Sequence, residues 1–222
     1  MLALTLDLDG GRAEVRFSDR GDGDFAAAHA DSRGGLAAGP WTRLRQQHGS
    51  EVVVVAAPGD GDGALADAAV TAAPGAVLTV RTADCAPVAL VAREGVVAAV
   101  HAGWRGLVAG VVEGAAATVR ALGGKEVSAY LGPCIHAECY EFGSGSLAEL
   151  ADRLGSEVIG RTAWGTPAFD IPAAVRRALR RSGIQTIIEA HHCTACDARR
   201  WYSHRARGEP ERHLLATWIS RS

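Results

Sequence analysis

Aromatic side chains are scarce, at 5% of the 222 residues. Hydrophobic residues still make up 48% of the chain, so any core must be filled by Ala, Val, Leu and Ile. No run of about 18 apolar residues occurs, which excludes a transmembrane helix. No basic block stands out either, with 23 basic against 25 acidic residues. Nucleic acid and anionic membrane surfaces are therefore not expected partners. The densest basic cluster, Arg176, Arg177, Arg180 and Arg181, falls in one predicted helix and reads as a solvated face. The opening MLALTLDLDG lacks the basic and long apolar regions of a secretory signal. The five cysteines are an odd number, which suits reduced thiols in a cytoplasmic protein. Internal repeats and low-complexity linkers are absent as well. Residues 21–40 and 57–63 read as loops, but neither parts two cores, so one domain over residues 1–222 is expected.

The residues present suggest strands first. Short Val- and Ile-rich runs at 52–56, 77–80, 87–92, 96–100, 127–131 and 185–188 read as buried strands. Arg93-Glu94-Gly95 joins two of them as a hairpin. Helices are expected over 106–122, closed by Gly123-Gly124, and from a capping box at Ser146–Glu149 to near Gly155. A further helix is capped by Asp170, carries Pro172 in its first turn and precedes Gly183. Along it Ile171, Val175 and Leu179 should face the core. Hairpins mixed with helices point to an α+β fold with mixed sheets.

The chemistry concentrates in Arg81-Thr82-Ala83-Asp84-Cys85 and in Val100-His101-Ala102-Gly103-Trp104-Arg105-Gly106. Cys85 enters the first hairpin strand and His101 leaves the second, so the hairpin would make them neighbours at one edge. A thiolate and a neutral imidazole suit Zn²⁺ and also bind copper. A third protein ligand would leave one position open, as in catalytic zinc sites. His48, in Gln46-Gln47-His48-Gly49, is the best remaining candidate, although nothing local forces it towards Cys85. A buried thiol with two hydrogen-bonded core histidines would look the same at this level. Arg105 enters a predicted helix start, where anions are favoured, and equally fits an ordinary turn with a surface arginine. The run His191-His192-Cys193-Thr194-Ala195-Cys196, with His204 nearby, holds a single Cys-x-x-Cys. No second pair accompanies it, so a second zinc site is not expected, nor is a thioredoxin-like redox site. Cys134 and Cys139 read as buried rather than reactive.

Taken in order, Gln46–Gly49, Ala66-Asp67-Ala68-Ala69-Val70-Thr71, Arg81–Pro87, His101–Gly106, Gly132-Pro133-Cys134-Ile135, Cys139-Tyr140-Glu141, Cys193-Thr194 and Ser203-His204-Arg205 resemble the YfiH-like family, also called laccase-domain or polyphenol oxidase proteins. The match covers residues 46–205. The resemblance implies a layered α/β/β/α sandwich with mixed sheets. It also implies His48, Cys85 and His101 as metal ligands, with zinc the usual metal. By the same resemblance the activity is that of a purine nucleoside phosphorylase, acting on adenosine, inosine and methylthioadenosine, with adenosine deaminase activity beside it. The chain departs from the pattern before residue 46, at Gln47, and at Glu209-Pro210-Glu211-Arg212. These departures bear on substrate range.

Within that reading, Asp84 is the candidate for proton handling and Arg105 for anion binding, with nucleoside and phosphate as small-molecule partners. Asp84 also has the form of a turn-capping carboxylate. Two other activities use the same residues. A cysteine hydrolase or amidase, acting on a peptidoglycan precursor, would take Cys85 as nucleophile and His101 as base. A copper phenol oxidase would need many histidines, often as His-x-His pairs, whereas the chain has eight histidines and no such pair. A non-catalytic binding domain would leave the polar constellation without a purpose.

Overall fold

The structure is a computed structural model that describes residues 1–26 and 35–220. The strands, in chain order, are β1 (Leu2–Leu8), β2 (Gly11–Phe17), β3 (Trp41–Arg43), β4 (Val52–Val55), β5 (Ala68–Thr71), β6 (Val77–Thr82), β7 (Ala86–Ala92), β8 (Val96–Ala102), β9 (Val127–Leu131), β10 (Ile159–Arg161), β11 (Pro167–Phe169), β12 (Thr186–Glu189) and β13 (His213–Ser220). The helices are α1 (Trp104–Ala109), α2 (Val111–Ala121), α3 (Ser144–Leu154), α4 (Ile171–Arg181) and α5 (His204–Arg207).

Two mixed sheets stack face to face. One has the order β1-β2-β13-β6-β3, with only the β3–β6 pair parallel. The other has the order β12-β9-β7-β8-β5-β4, parallel at its two outer pairs. Between them lies a core that includes Val15, Leu78, Val80, Ala89, Val97, Ala99 and Leu215. On its other face the six-stranded sheet packs Val88, Leu90, Ala98 and Val100 against α1, α2 and α4. Both faces of β7 and β8 are therefore covered, and all fourteen of their residues are buried. This explains why they read as unbroken apolar runs rather than alternating ones. The outer face of the five-stranded sheet carries Trp41, Val77, Leu214 and Ala216, covered by Phe25 and Leu36 from the connecting segment. The expected mixed α+β fold is present. Among the described residues no helix is long and apolar enough to cross a membrane.

The hairpin forms as read, with Gly95 at φ 91 in its turn and Pro87 opposite His101. Other expectations need correction. The helix over 106–122 begins at Trp104 and is broken by Gly110 at φ 87, giving α1 and α2. A left-handed residue cannot continue a right-handed helix, and glycine adopts it without steric cost. No capping box forms at Ser146, because α3 starts two residues earlier behind Gly143, which has no side chain to cap with. The Asp170 cap does form, its carboxylate accepting from the Ala173 amide at 2.8 Å. The runs at 52–56 and 185–188 are strands but not fully buried. Each lies at a sheet edge, leaving Val54 and Ile188 exposed. The loop expected over 21–40 falls partly on residues 27–34, which lie outside the described residues, while 57–63 forms turns. In the arginine cluster, Arg180 and Arg181 are exposed, while Arg176 pairs with Glu189 and Arg177 with Glu157.

Candidate metal centre

Sheet topology delivers the site at one end of the layer between the sheets. Residues 83–85 cross from β6 in one sheet to β7 in the other. His101 lies in β8 and points towards the five-stranded sheet, like Val97 and Ala99 on the same face. Continuing the β7–β8 register puts Cys85 opposite Gly103. A Cβ on Gly103 would lie 2.8 Å from His48 Cδ2 and 3.1 Å from Cys85 Sγ, so a glycine is needed there. His48 arrives from the loop between β3 and β4, at φ 58. The donor atoms of His48, Cys85 and His101 all lie within 4.8 Å of one another. His48 Nε2 is 3.7 Å from Cys85 Sγ, and the two imidazole rings meet edge to face with centroids 4.8 Å apart.

Asp67 organises this cluster, and the sequence reading gave it no role. It sits just before β5 and is only 1% exposed. Its carboxylate accepts from the amides of Gln47 (3.0 Å), His48 (3.0 Å) and Gly49 (2.8 Å), and meets His101 Nδ1 at 2.7 Å. Burying a carboxylate is costly unless its lone pairs are satisfied, and here four donors satisfy them. Burial pushes its pKa up, but the bonds from His101, Gly49 and Gln47 outweigh this and hold it below the ordinary range. The same amide bonds hold His48 in its left-handed backbone conformation, which alone costs on the order of 1–3 kcal/mol. The available signal was an acid inside the apolar run Ala66-Asp67-Ala68-Ala69-Val70.

The charges are coupled. Burial raises the Cys85 thiol, yet His101 and His48 bring it down to about 6. Burial lowers His101, yet the Cys85 thiolate and Asp67 push it up to about 9. A thiolate beside an imidazolium therefore rests at the centre near neutral pH. Asp67 holds Nδ1 of His101, so Nε2 is directed at the sulfur. That donor set, one thiolate and two imidazole nitrogens with a carboxylate behind one of them, fits a borderline-soft divalent cation with an open position.

The cluster lines a cavity of about 540 Å³. Its wall carries Arg81, Arg105, Arg205 and Arg212, together with Trp104 and Tyr140. Among the described residues none of these four guanidiniums is in an ion pair with a carboxylate. Arg81 reaches the carbonyls of Ala26 and Leu44 instead, and Arg105 lies over the Trp104 ring at 4.2 Å. Burial, then the Cys85 charge, push the Tyr140 hydroxyl up to about 12, leaving it a neutral donor.

Asp84 lines the cavity, and each of its carboxylate oxygens is held by one hydrogen bond. Its carboxylate accepts from Thr194 Oγ1 and from the Arg205 amide, both at 2.6 Å, while its backbone sits at φ 87. Arg105 opens α1, but that helix has only six residues, so its terminus offers little dipole to an anion. His204, grouped above with the Cys193–Cys196 motif, lines the main cavity. Cys134 is buried as expected, whereas Cys139 is half-exposed, with its sulfur 3.5 Å from that of Cys196.

Residues 26–220 match the family described as multi-copper polyphenol oxidoreductase laccase. The chain is 42% identical over 155 residues to a purine nucleoside phosphorylase of Streptomyces coelicolor; the match covers 68% of this chain and 64% of that protein's length. To a purine nucleoside phosphorylase of Mycobacterium bovis it is 36% identical over 209 residues, covering 89% and 82% of the two chains. Among solved structures, YlmD of Geobacillus stearothermophilus superposes with a TM-score of 0.76 at 23% identity, covering 96% of this chain and 93% of the other. A protein of Neisseria meningitidis gives 0.75 at 24% identity, covering 98% and 99%. These two share the fold. The family match and the sequence identities together show that the chain belongs to the YfiH-like, laccase-domain family.

Proposed function

We propose that the chain is a metal-dependent purine nucleoside phosphorylase, cleaving inosine, adenosine and methylthioadenosine with phosphate, and deaminating adenosine at the same site. The observation that carries the reading is the cavity itself. It joins the His48, Cys85 and His101 donors to four guanidiniums that have no carboxylate partner among the described residues, in a volume suited to a nucleoside and an anion. The relatives' names support the same activity.

His48, Cys85 and His101 would hold the ion, zinc by the chemistry of the donors, with copper the alternative. When bound, it would supply a positive charge that stabilises developing negative charge or lowers the pKa of a water. The chain's own groups do the rest. Arg105, with Arg81 and Arg212, binds phosphate through charge-assisted hydrogen bonds. Trp104 and Tyr140 offer aromatic faces to the purine. Phosphate oxygen bonds to the anomeric carbon as the carbon–nitrogen bond to the base breaks, and the proton of monohydrogen phosphate ends on the departing base. Asp84 acts by fixing Arg205 and the 194 loop around the cavity, and its remaining lone pairs make it the candidate for moving a proton. The site is read as cytoplasmic because its thiols must stay reduced to serve.

The test is incubation of metal-loaded protein with inosine, with and without phosphate, followed by chromatography. Phosphate-dependent hypoxanthine that is lost in His101→Ala supports the reading, and its absence from folded, metal-loaded protein defeats it. A second reading has one observation in its favour. Cys85, His101 and Asp67 also form a thiolate–imidazolium–carboxylate relay of the kind a cysteine hydrolase uses. Such a hydrolase would survive a chelator that silences the phosphorylase. A multicopper oxidase is disfavoured, because only two histidines converge with Cys85 among the described residues.

A further inference from the structure

Apart from this centre, three sulfurs converge that the proposed activity does not use. Cys139 follows β9 in the short turn Ala137–Cys139, while Cys193 and Cys196 belong to the segment after β12. Their Sγ atoms all lie within 4.8 Å of one another, and those of Cys139 and Cys196, 57 residues apart in sequence, are 3.5 Å apart. Sulfurs arranged tetrahedrally around zinc, at about 2.3 Å from the ion, sit about 3.8 Å apart. The three are therefore close to the spacing that one ion requires.

Polar donors from both segments surround these sulfurs. Cys193 Sγ accepts from the His136 amide at 3.4 Å. A fourth donor is at hand in His136, which forms with Glu138 and Cys193 a second set of donors within 4.8 Å. Its Nδ1 lies 3.5 Å from Glu138 Oε1, a smaller version of the Asp67–His101 contact.

We propose that Cys139, Cys193 and Cys196, with His136 as fourth ligand, bind a second, structural zinc ion. Thiolates favour zinc over the harder cations, and three sulfurs with one imidazole close its shell. The ion would tie together two segments that build the main cavity. Cys139 precedes Tyr140 in the cavity wall, and Thr194, between Cys193 and Cys196, donates to Asp84. The sequence reading set a second zinc site aside because the Cys-x-x-Cys has no partner pair, whereas the third sulfur comes from a distant turn.

The test is elemental analysis and Co²⁺ titration of the full chain, purified under reducing conditions. About two zinc ions per chain are expected, falling to about one in Cys196→Ser, whose side chain is exposed and readily replaced. In Cys85→Ala, which empties the first site, Co²⁺ should still give strong thiolate-to-metal charge-transfer absorption, and Cys85→Ala/Cys196→Ser should lose it. If Cys85→Ala fails to fold, the drop in zinc between wild type and Cys196→Ser decides alone. Three results would overturn the proposal: unchanged zinc content in Cys196→Ser, copper in place of zinc at this site, or a Cys139–Cys196 disulfide found by mass spectrometry in the reduced preparation.

Discussion

Asp67 Oδ1 stands 2.7 Å from His101 Nδ1, and the same carboxylate gathers the amides of Gln47, His48 and Gly49. One buried acid thus sets the ring orientation of one metal-ligand candidate and the backbone position of another. Asp67→Asn turns one acceptor into a donor that faces amide donors. Metal affinity should fall by about 10- to 100-fold, the range for losing an orienting partner behind a metal histidine. Competition with a chelator of known affinity measures it. Unchanged affinity in the folded variant would show that Asp67 serves the fold alone.

Metal binding should depend on pH in a defined window. Without metal, the Cys85 thiol titrates at about 6 and the His101 imidazolium at about 9. Between these values the thiolate is already formed, but His101 carries a proton that the ion must displace. Apparent zinc affinity should therefore rise about tenfold per pH unit across this interval and flatten above it. In the metal-free protein, alkylation of Cys85 should follow its thiolate, rising through pH about 6, and should move to higher pH in His101→Ala. A flat affinity profile between the two values would mean that His101 is neutral there.

Gly103→Ala places a methyl group against both His48 and Cys85. The variant should lose most of its bound metal while keeping its far-UV circular dichroism, because the overlap falls on the donors and not on the core. Wild-type metal content in this variant would mean that the loop carrying His48 can move aside.

Arg105→Ala should raise the Michaelis constant for phosphate about tenfold, which corresponds to about 1.4 kcal/mol, and that for inosine much less. Steady-state kinetics with each substrate varied in turn separates the two. Equal effects on both would assign Arg105 to stacking on Trp104, its 4.2 Å neighbour.

Much of the centre could be read from one dimension because its parts are local. The hairpin needs only a short Gly-containing turn between two apolar runs, and it carries Cys85 and His101 to one edge by strand register. The Asp170 cap and the apolar stripe of α4 are likewise properties of adjacent residues. Where a boundary depended on one backbone torsion, as at Gly110, the pattern of side chains could not show it.

Only the tertiary structure decided which distant groups meet. β13 joins β2 to β6 across the whole chain, and no periodicity of its own announces that place. His48 reaches Cys85 because Asp67 holds the amides of its loop, a bond between segments about twenty residues apart that no local rule requires. Arg205 and Arg212 join Arg81 and Arg105 around one cavity because the C-terminal strand returns beside β6. Cys139 meets Cys196 because β9 and β12 pair in parallel and release their following turns on the same side. Residue types and short-range spacing set which atoms are fit to bind a metal or an anion. Sheet pairing, driven by burial of apolar faces along the whole chain, sets which of them come within reach of one another.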